Sequence, residues 1–307
     1  MKIIFFGTPE YVVPIAQKLH NTYYKGKLRD LVGVVTQPPK PAGRKGKIER
    51  SAIDNWAYKR NVPIAHDYGQ IPQADLGVVA AHGRIIPQSV INAFPYGIIN
   101  IHPSKLPEFR GASPVQATIA TGKTQAHVTF IKMDEQMDHG PIISQFKDDI
   151  LKDDTTETLR SRLFQRATEA LIEMLPAYTT GKIALKPQNH KKATYVSLIK
   201  KQDGYVPPLY LSKALKGEKV NEKWALQFIK DCFVPVTPTS INQFIRAMYP
   251  WPGAWTEIQI GNSKKRLKLL KVNANEERLV LDTVQLDGKD PVSWKQFIAG
   301  YPQAKLS

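Results

Sequence analysis

The chain has 307 residues, of which 42% are hydrophobic and 23% are charged, so it can form two ordinary globular domains and has the composition of neither a disordered nor a fibrous protein. Its single cysteine, Cys232, excludes a disulfide within the chain and a metal site built from several cysteines. Because no segment approaches the roughly twenty apolar residues of a membrane span, we expect a cytoplasmic protein with no membrane segment.

The charge balance is strongly basic. The 43 Lys and Arg residues outnumber the 27 Asp and Glu residues, which gives a formal net charge of +16. Residues 191–307 alone hold 19 basic and 10 acidic side chains, so both halves of the chain carry the excess. This distribution favours a polyanionic partner that contacts both halves, although general solubility charge would give the same count.

The start of the chain predicts an α/β sheet. Residues 2–6 are typical of a buried strand, Gly7-Thr8-Pro9 of a turn, the next segment of an amphipathic helix, and residues 31–36 of a second strand. Strand, turn, helix and strand in this order open a doubly wound, mainly parallel sheet. Gly7 alone is not a dinucleotide-binding fingerprint, so we predict no NAD site.

A basic loop follows the second strand. Residues 37–50 are rich in proline and glycine, which indicates an irregular, solvated loop. The alternative is an arm that becomes ordered on RNA phosphates. The basic residues that would serve this arm are Lys40, Arg44, Lys45, Lys47 and Arg50.

The candidate catalytic residues lie at the end of a later strand. Residues 98–101 form a short apolar segment typical of a buried strand, and Asn100 and His102 are two apart, so both side chains leave the same face at its carboxyl end. Open parallel sheets bind their ligands at this edge. An amide and an imidazole can stabilise an oxyanion, and Asp138, in a predicted turn between two strands, could orient the imidazole. The set indicates acyl or formyl transfer; the alternative is an Asn and a His that only bond to their own loop.

The pattern changes near residue 190. Residues 1–189 predict the catalytic domain, residues 190–204 a polar linker, and residues 205–307 a domain of short strands typical of a small β-barrel. Within it, residues 205–236 are too apolar for a linker. We expect this insertion to pack on the barrel, with a helix over residues 222–231.

Several motifs together resemble the folate-dependent formyltransferases, and among them the enzymes that act on methionyl-tRNA. They are Phe6-Gly-Thr-Pro-Glu10, Thr36-Gln-Pro-x-x-Pro-Ala-Gly-Arg44, Asn100-Ile-His102, Ser104-x-Leu-Pro107, Arg110-Gly111, Asp138-x-Gly140 and Ile245-Arg-Ala-x-x-Pro-Trp-Pro-Gly-Ala254. The resemblance implies a Rossmann-like catalytic domain, an OB-like β-barrel that binds tRNA, and transfer of a formyl group from 10-formyltetrahydrofolate to the α-amino group of methionyl initiator tRNA. It requires no metal, and we expect a monomer.

The resemblance also implies roles for individual residues. Asn100 and His102 would stabilise the oxyanion, and Asp138 would hold and charge His102. His82 occupies a position where tyrosine is commoner in the family. The implied folate-binding residues are Ala81, His82, Gly83, Ile85, Ile86, Ser104, Leu106 and Pro107. The implied tRNA-binding residues are the five basic residues of the loop together with Lys264, Lys265 and Arg266.

Two other functions remain open from the sequence. An N-formyltransferase acting on a nucleotide-linked amino sugar would share the same Asn, His and Asp residues, but it would not require a basic loop and a basic second domain. An RNA-binding protein with a degenerate catalytic domain is a different class, against which the intact Asn100, His102 and Asp138 argue.

Overall fold

The computed structural model describes residues 1–23, 30–42, 46–218, 220–275 and 277–306. Within these ranges the helices are α1 Val13–Tyr23, α2 Ala52–Tyr58, α3 Gln88–Ile91, α4 Pro114–Ala120, α5 Thr156–Thr179, α6 Pro208–Lys216, α7 Pro238–Ala247 and α8 Trp294–Gly300. The strands are β1 Ile3–Gly7, β2 Leu31–Val35, β3 Lys40–Ala42, β4 Lys47–Glu49, β5 Ile64–Ala65, β6 Leu76–Ala80, β7 Ile98–His102, β8 Arg110–Gly111, β9 Gln125–Lys132, β10 Ile142–Asp149, β11 Tyr195–Val196, β12 Lys223–Ala225, β13 Phe233–Pro235, β14 Ala254–Ile260, β15 Ser263–Ala274, β16 Leu279–Leu286 and β17 Val292–Ser293.

Contacts divide the chain into two units. The first comprises residues 1–110, 127–148 and 160–193, and the second comprises residues 111–126, 149–159 and 194–307. In the described part of the chain, no helix combines the length and the apolar character needed to cross a membrane.

The first unit is built on a seven-stranded sheet in the order β10-β9-β7-β6-β1-β2-β5. Strands β5, β2, β1, β6 and β7 run parallel, and β9 pairs antiparallel with β7. Because β1 and β6 are buried at every residue, they are continuous apolar segments, as expected for strands covered on both faces. The parallel strands bring the carboxyl ends of β1, β6 and β7 to one edge of the sheet.

Helices α1 and α2 pack together and cover β2 of this sheet. Ser51 caps the start of α2, because its hydroxyl accepts a hydrogen bond from the Asp54 amide at 3.0 Å. A separate apolar cluster includes Ile4 and Phe6 of β1 together with Ile91 and Phe94, which follow β6. This buried layer fixes the strand ends that carry the candidate site.

The second unit contains a four-stranded antiparallel sheet in the order β14-β15-β16-β17. Ala254, Thr256 and Ile258 of β14 are buried, whereas the residues between them are partly exposed, so β14 follows the period-two pattern of a half-buried strand. Helix α7 packs on β15 and begins with a Thr237–Ser240 capping box. The predicted fold class, a mainly parallel sheet with a smaller C-terminal β domain, is confirmed.

The insertion packs against the antiparallel sheet of the second unit, where α6 contacts β14 and β16, but the position of its helix was predicted wrongly. The ring of Trp224 lies 4.3 Å from that of Phe244 on α7. Residues 222–231 form no helix, because Lys223–Ala225 is a strand that pairs antiparallel with Phe233–Pro235. The helix is instead Pro208–Lys216, where proline occupies the first turn and Gly217 ends the helix at a φ of 74°.

Candidate active site

Three neighbouring strands deliver the candidate residues to one edge of the sheet. Gly7 at the end of β1 pairs with Ala80 at the end of β6, and Val79 pairs with Asn100 on β7. The last residue of β7, His102, therefore lies level with Ala81, which follows β6. The sequence prediction that these polar residues share the carboxyl edge agrees with this register.

Asp138 bridges the two predicted catalytic residues of β7. The Asn100 side-chain amide donates a hydrogen bond from Nδ2 to Asp138 Oδ1 at 2.9 Å. The His102 Nδ1 atom lies 3.5 Å from the same oxygen. His102 is 4% exposed and Asp138 is largely buried, so the carboxylate and the imidazole interact with little screening by solvent.

Both ring nitrogens of His102 are engaged. Nε2 lies 3.0 Å from the carbonyl oxygen of Phe109, and because a carbonyl only accepts, Nε2 carries the proton and donates it. Nδ1 faces the carboxylate of Asp138.

The turn that contains Asp138 has strict requirements on backbone conformation and side-chain size. Asp138 has a φ of 50°, in the left-handed region that non-glycine residues seldom adopt. Two residues later, a Cβ on Gly140 would lie 1.8 Å from the Lys132 carbonyl oxygen, so only glycine fits. Gln188 holds the turn from outside, because its Nε2 donates to the carbonyl oxygens of Asp138 at 2.9 Å and Gly140 at 2.7 Å.

The loop after β7 is held by Thr129, a fully buried residue of β9. Its hydroxyl donates to the Ser104 carbonyl at 2.6 Å and accepts from the Leu106 amide at 3.3 Å. The Ser104 hydroxyl donates to the Glu108 carbonyl at 2.6 Å. Ser104 thus closes its own loop, and Leu106 is buried within it.

His82, which follows β6, is 2% exposed and bonded through one ring nitrogen. Its Nε2 lies 3.1 Å from the Tyr68 hydroxyl, which itself donates to the Ile85 carbonyl at 2.9 Å. The single hydroxyl proton is thereby committed, so His82 Nε2 donates and Nδ1 is a lone-pair acceptor. Burial and, to a lesser extent, the Arg84 guanidinium lower the pKa of His82 from 6.5 to about 4, which keeps the ring neutral.

The other candidate folate-binding residues surround this strand end. Ala81 has a φ of 46° and Gly83 a φ of 75°. The Gln37 side-chain amide donates to the carbonyls of His82 and Gly83. Ile86 is buried, whereas the side chain of Ile85 is 84% exposed. An exposed apolar side chain beside a polar backbone loop suits a flat, partly apolar ligand.

Comparison with known proteins identifies the family. A formyl transferase family model matches residues 1–175, and the model of the formyl transferase C-terminal domain matches residues 236–279. A methionyl-tRNA formyltransferase from Chloroflexus aggregans is 34% identical over 266 residues, which cover 83% of this chain and 76% of that protein.

The chain belongs to the formyl transferase family. Solved structures of two family members share the fold. A methionyl-tRNA formyltransferase from Clostridium thermocellum has a TM-score of 0.54 at 17% identity, with 93% of this chain and 98% of that chain covered. A sugar N-formyltransferase from a Shewanella species has a TM-score of 0.57 at 18% identity, covering 93% and 99%.

The basic loop of this formyl transferase is described only in part. Lys40 donates to the Gln37 side chain, and Lys47 is exposed on β4. Arg50 lies 3.2 Å from the Asp54 carboxylate and 4.3 Å from the ring centroid of Tyr58, so protein groups already pair with its charge. Arg44 and Lys45 lie outside the described residues.

The three basic residues predicted in the second unit do not share one face. Lys264 pairs with Gln259, Lys265 with Ile258, and Arg266 with Glu257. Because alternate residues of a strand point to opposite faces, Lys264 and Arg266 lie on one face and Lys265 on the other. The Arg266 guanidinium stacks over the Trp255 ring at 3.9 Å.

Sequence reasoning missed several residues that hold the site. Phe109 supplies the carbonyl for His102, and Arg110 donates to Gln188 from Nη2 at 2.7 Å. The motif Arg110-Gly111 had indicated the arginine only as a family feature, and Gln188, just before the predicted linker, had no local signal. No group of three or more His, Cys, Asp or Glu suited to a metal ion occurs among the described residues.

Proposed function

We propose that this protein transfers a formyl group from 10-formyltetrahydrofolate to the α-amino group of methionyl initiator tRNA. The observation that carries the proposal is the Asp138 carboxylate between Asn100 and His102, at the carboxyl edge of the sheet, in a chain of the formyl transferase family. The methionyl-tRNA formyltransferases that the chain resembles over most of its length favour this acceptor.

The formyl donor suits the residues at the ends of β6 and β7. The exposed Ile85 side chain offers an apolar contact for a flat ring, and the positive-φ backbone at Ala81 and Gly83 lets a ligand approach the main chain closely. We assign donor binding to this edge, with the shaped loop of Ser104, Leu106 and Pro107 beside it. His82 supports the loop that follows β6, because its ring is bonded to the Tyr68 hydroxyl, which donates to the Ile85 carbonyl.

The chemistry needs a donor for the developing oxyanion. The neutral amine of methionine attacks the formyl carbon, and the carbonyl electron pair moves to oxygen. Asn100 Nδ2 has two N–H groups, of which one donates to Asp138, so the other serves the oxyanion. As the carbonyl re-forms, the bond between carbon and the folate nitrogen breaks, and that nitrogen gains the proton that the amine has lost.

Asp138 is the proposed group for moving this proton. It lies against both Asn100 and His102, so these two side chains fix the orientation of its carboxylate. His102 Nε2 is bonded to Phe109, so a direct bond from His102 to the oxyanion would require Nδ1 to leave Asp138. We therefore propose that His102 acts by orienting Asp138, with Asn100 as the oxyanion donor.

A tRNA acceptor agrees with the charge of the chain. The net charge of +16 is spread over both halves, and Lys40, Lys47, Lys264 and Arg266 lie on partly or fully exposed strands. Phosphate contacts by such residues give an affinity that falls steeply with salt. We further propose a catalytic domain at residues 1–189, a linker at 190–204 and a tRNA-binding domain at 205–307, acting as a cytoplasmic monomer.

The decisive experiment is a single-turnover assay with 10-formyltetrahydrofolate and charged methionyl initiator tRNA. We expect formyl-methionyl-tRNA from the wild type and a loss of about a hundredfold to a thousandfold in rate for Asn100→Ala, as for other oxyanion donors. Asn92→Ala, which changes an exposed asparagine after α3, is the matched control and should keep the wild-type rate.

Parallel assays separate the alternatives. Product from a nucleotide-linked amino sugar and none from tRNA would replace the tRNA proposal with the sugar N-formyltransferase. A wild type that binds tRNA in a salt-dependent manner, turns over neither acceptor and binds tRNA equally well as His102→Ala would be a non-catalytic RNA-binding protein.

A further inference from the structure

Two stacked histidines lie beside the catalytic turn and have no part in the mechanism above. The rings of His139 and His190 are parallel within 7°, with their centroids 3.9 Å apart. His139 directly follows Asp138, and its Nδ1 lies 2.7 Å from the Asp134 carboxylate. His190 begins the short 3-10 turn His190–Lys192 and is exposed.

The hydrogen bonds of His190 define its protonation state. Arg110 Nη2 lies 2.9 Å from His190 Nδ1, and an arginine only donates. Nδ1 must therefore be an acceptor, so His190 is neutral and carries its proton on Nε2. His139 differs, because its Nδ1 faces a carboxylate and donates to it.

From His190, a chain of hydrogen bonds leads to the backbone of Asp138. Arg110 is 2% exposed, and the same Nη2 atom donates to Gln188 Oε1 at 2.7 Å. This contact fixes the orientation of the Gln188 amide, whose Nε2 then points at the carbonyls of Asp138 and Gly140. The turn held by Gln188 includes the strained, left-handed Asp138.

We propose, on the basis of the function proposed above, that His190 is a positioning residue for formyl transfer. Its neutral imidazole accepts from Arg110, which thereby holds Gln188 against the 138–140 turn and keeps Asp138 between Asn100 and His102. His190 touches no reacting atom in this scheme. It acts through Arg110, and protonation of its ring releases the contact.

The surrounding charges support a neutral ring. Desolvation by the groups packed against the ring, the neighbouring His139 and the Arg110 guanidinium lower the pKa of His190 from 6.5, against an opposing effect of Asp134. Lys191 and Lys192 of the same turn add further positive charge. Protonation would place an N–H directly against the guanidinium, so the contact is intact at neutral pH and is lost as the pH falls through the lowered pKa of His190.

Three substitutions at one position separate the acceptor atom from the ring. In His190→Asn, the Oδ1 atom takes over the place of Nδ1 as acceptor; His190→Phe keeps the stacked ring but removes the acceptor; His190→Ala removes both. We expect kcat to fall about tenfold in the Phe and Ala variants, as for one lost hydrogen bond to a charged donor. The KM for tRNA should not change, and His190→Asn should stay within about twofold of the wild type.

The pH profile and the tautomer give two further readouts. As the pH falls, the kcat of the wild type should show one ionisation step more than the kcat of His190→Asn, because only the wild type has an imidazole at position 190 to protonate. Nitrogen-15 NMR of the histidine rings at pH 7.5 should show the His190 proton on Nε2 and a bare Nδ1. Lys182→Ala, an exposed change in the same unit, is the activity control.

Several results would overturn the proposal. Wild-type kcat in His190→Ala, or full activity in His190→Phe together with loss in His190→Asn, would show that the acceptor atom is not required. A defect confined to the KM for tRNA would make His190 an RNA contact instead. A proton on Nδ1 in the NMR spectrum would exclude the Arg110 bond, and this measurement holds even if methionyl-tRNA proves not to be the acceptor.

Discussion

Two buried histidines at the ends of neighbouring parallel strands differ in what they face. His82 follows β6 and His102 ends β7, and both are at most 4% exposed. His82 donates to the Tyr68 hydroxyl, and burial lowers its pKa to about 4. His102 donates to the Phe109 carbonyl, and its other nitrogen faces Asp138 at 3.5 Å.

The difference lies in one carboxylate. Strand register brings both imidazoles to the same edge of the sheet, where both are buried. Asp138 reaches His102 because the turn between β9 and β10 folds its carboxylate onto β7, whereas the ring of His82 bonds to the Tyr68 hydroxyl. Position at the strand end thus selects both residues for the site, and the carboxylate gives only one of them a charged partner.

The largest effect on this difference between the two histidines is expected from Asp138→Asn. The substitution would leave His102 with neutral partners, like His82. The fold should survive, because an asparagine can still accept from Asn100 Nδ2. We expect the single-turnover rate to fall about a hundredfold to a thousandfold. Glu135→Gln, an exposed change in the same turn, should keep the wild-type rate. Equal rates in Asp138→Asn and the wild type would remove Asp138 from the mechanism.

The two strand ends also differ in how their loops are held, which Thr129→Val and Thr8→Val test. Thr129 bonds to Ser104, Leu106 and Gln145, whereas Thr8 donates only to the His82 carbonyl at 2.9 Å. Because valine leaves the buried groups unpaired, we expect Thr129→Val to lower the free energy of unfolding by about 2 to 3 kcal/mol and Thr8→Val by about 1 kcal/mol. Denaturant unfolding measures both, and equal losses would contradict the assigned bonds.

The sequence predicted the parts of the site that depend on local pattern. Residues 98–101 and the two-residue spacing of Asn100 and His102 were sufficient to place both side chains at the sheet edge, because a strand has period two. Prolines and glycines marked the turns, including the one that contains Asp138. These features need no knowledge of what lies far away in the chain.

Contacts between distant segments could not be predicted from the sequence pattern. Gln188 bonds to a carbonyl fifty positions earlier, and no periodicity or spacing indicates such a partner. Lys264, Lys265 and Arg266 appeared as one basic cluster until the register of β15 separated Lys265 from the others. In the insertion, apolar residues at 224 and 228 also match helical spacing, but the pairing of β12 with β13 determines the structure there.

The pH dependence of stability tests whether the folded protein keeps His82 neutral. The unfolded chain binds a proton at this residue near pH 6.5, whereas the folded protein does so only near pH 4, so the folded state loses stability as the pH falls between these values. His82→Gln keeps a donor near the position of Nε2 and cannot ionise. Between pH 7 and pH 5 we expect the wild type to lose about 2 kcal/mol more of its free energy of unfolding than His82→Gln does.

Taking the difference between two pH values within each protein cancels the cost of the substitution itself. Parallel curves for the two proteins would mean that His82 is protonated without penalty, and the distinction between a neutral histidine at β6 and a carboxylate-paired one at β7 would then have to be abandoned.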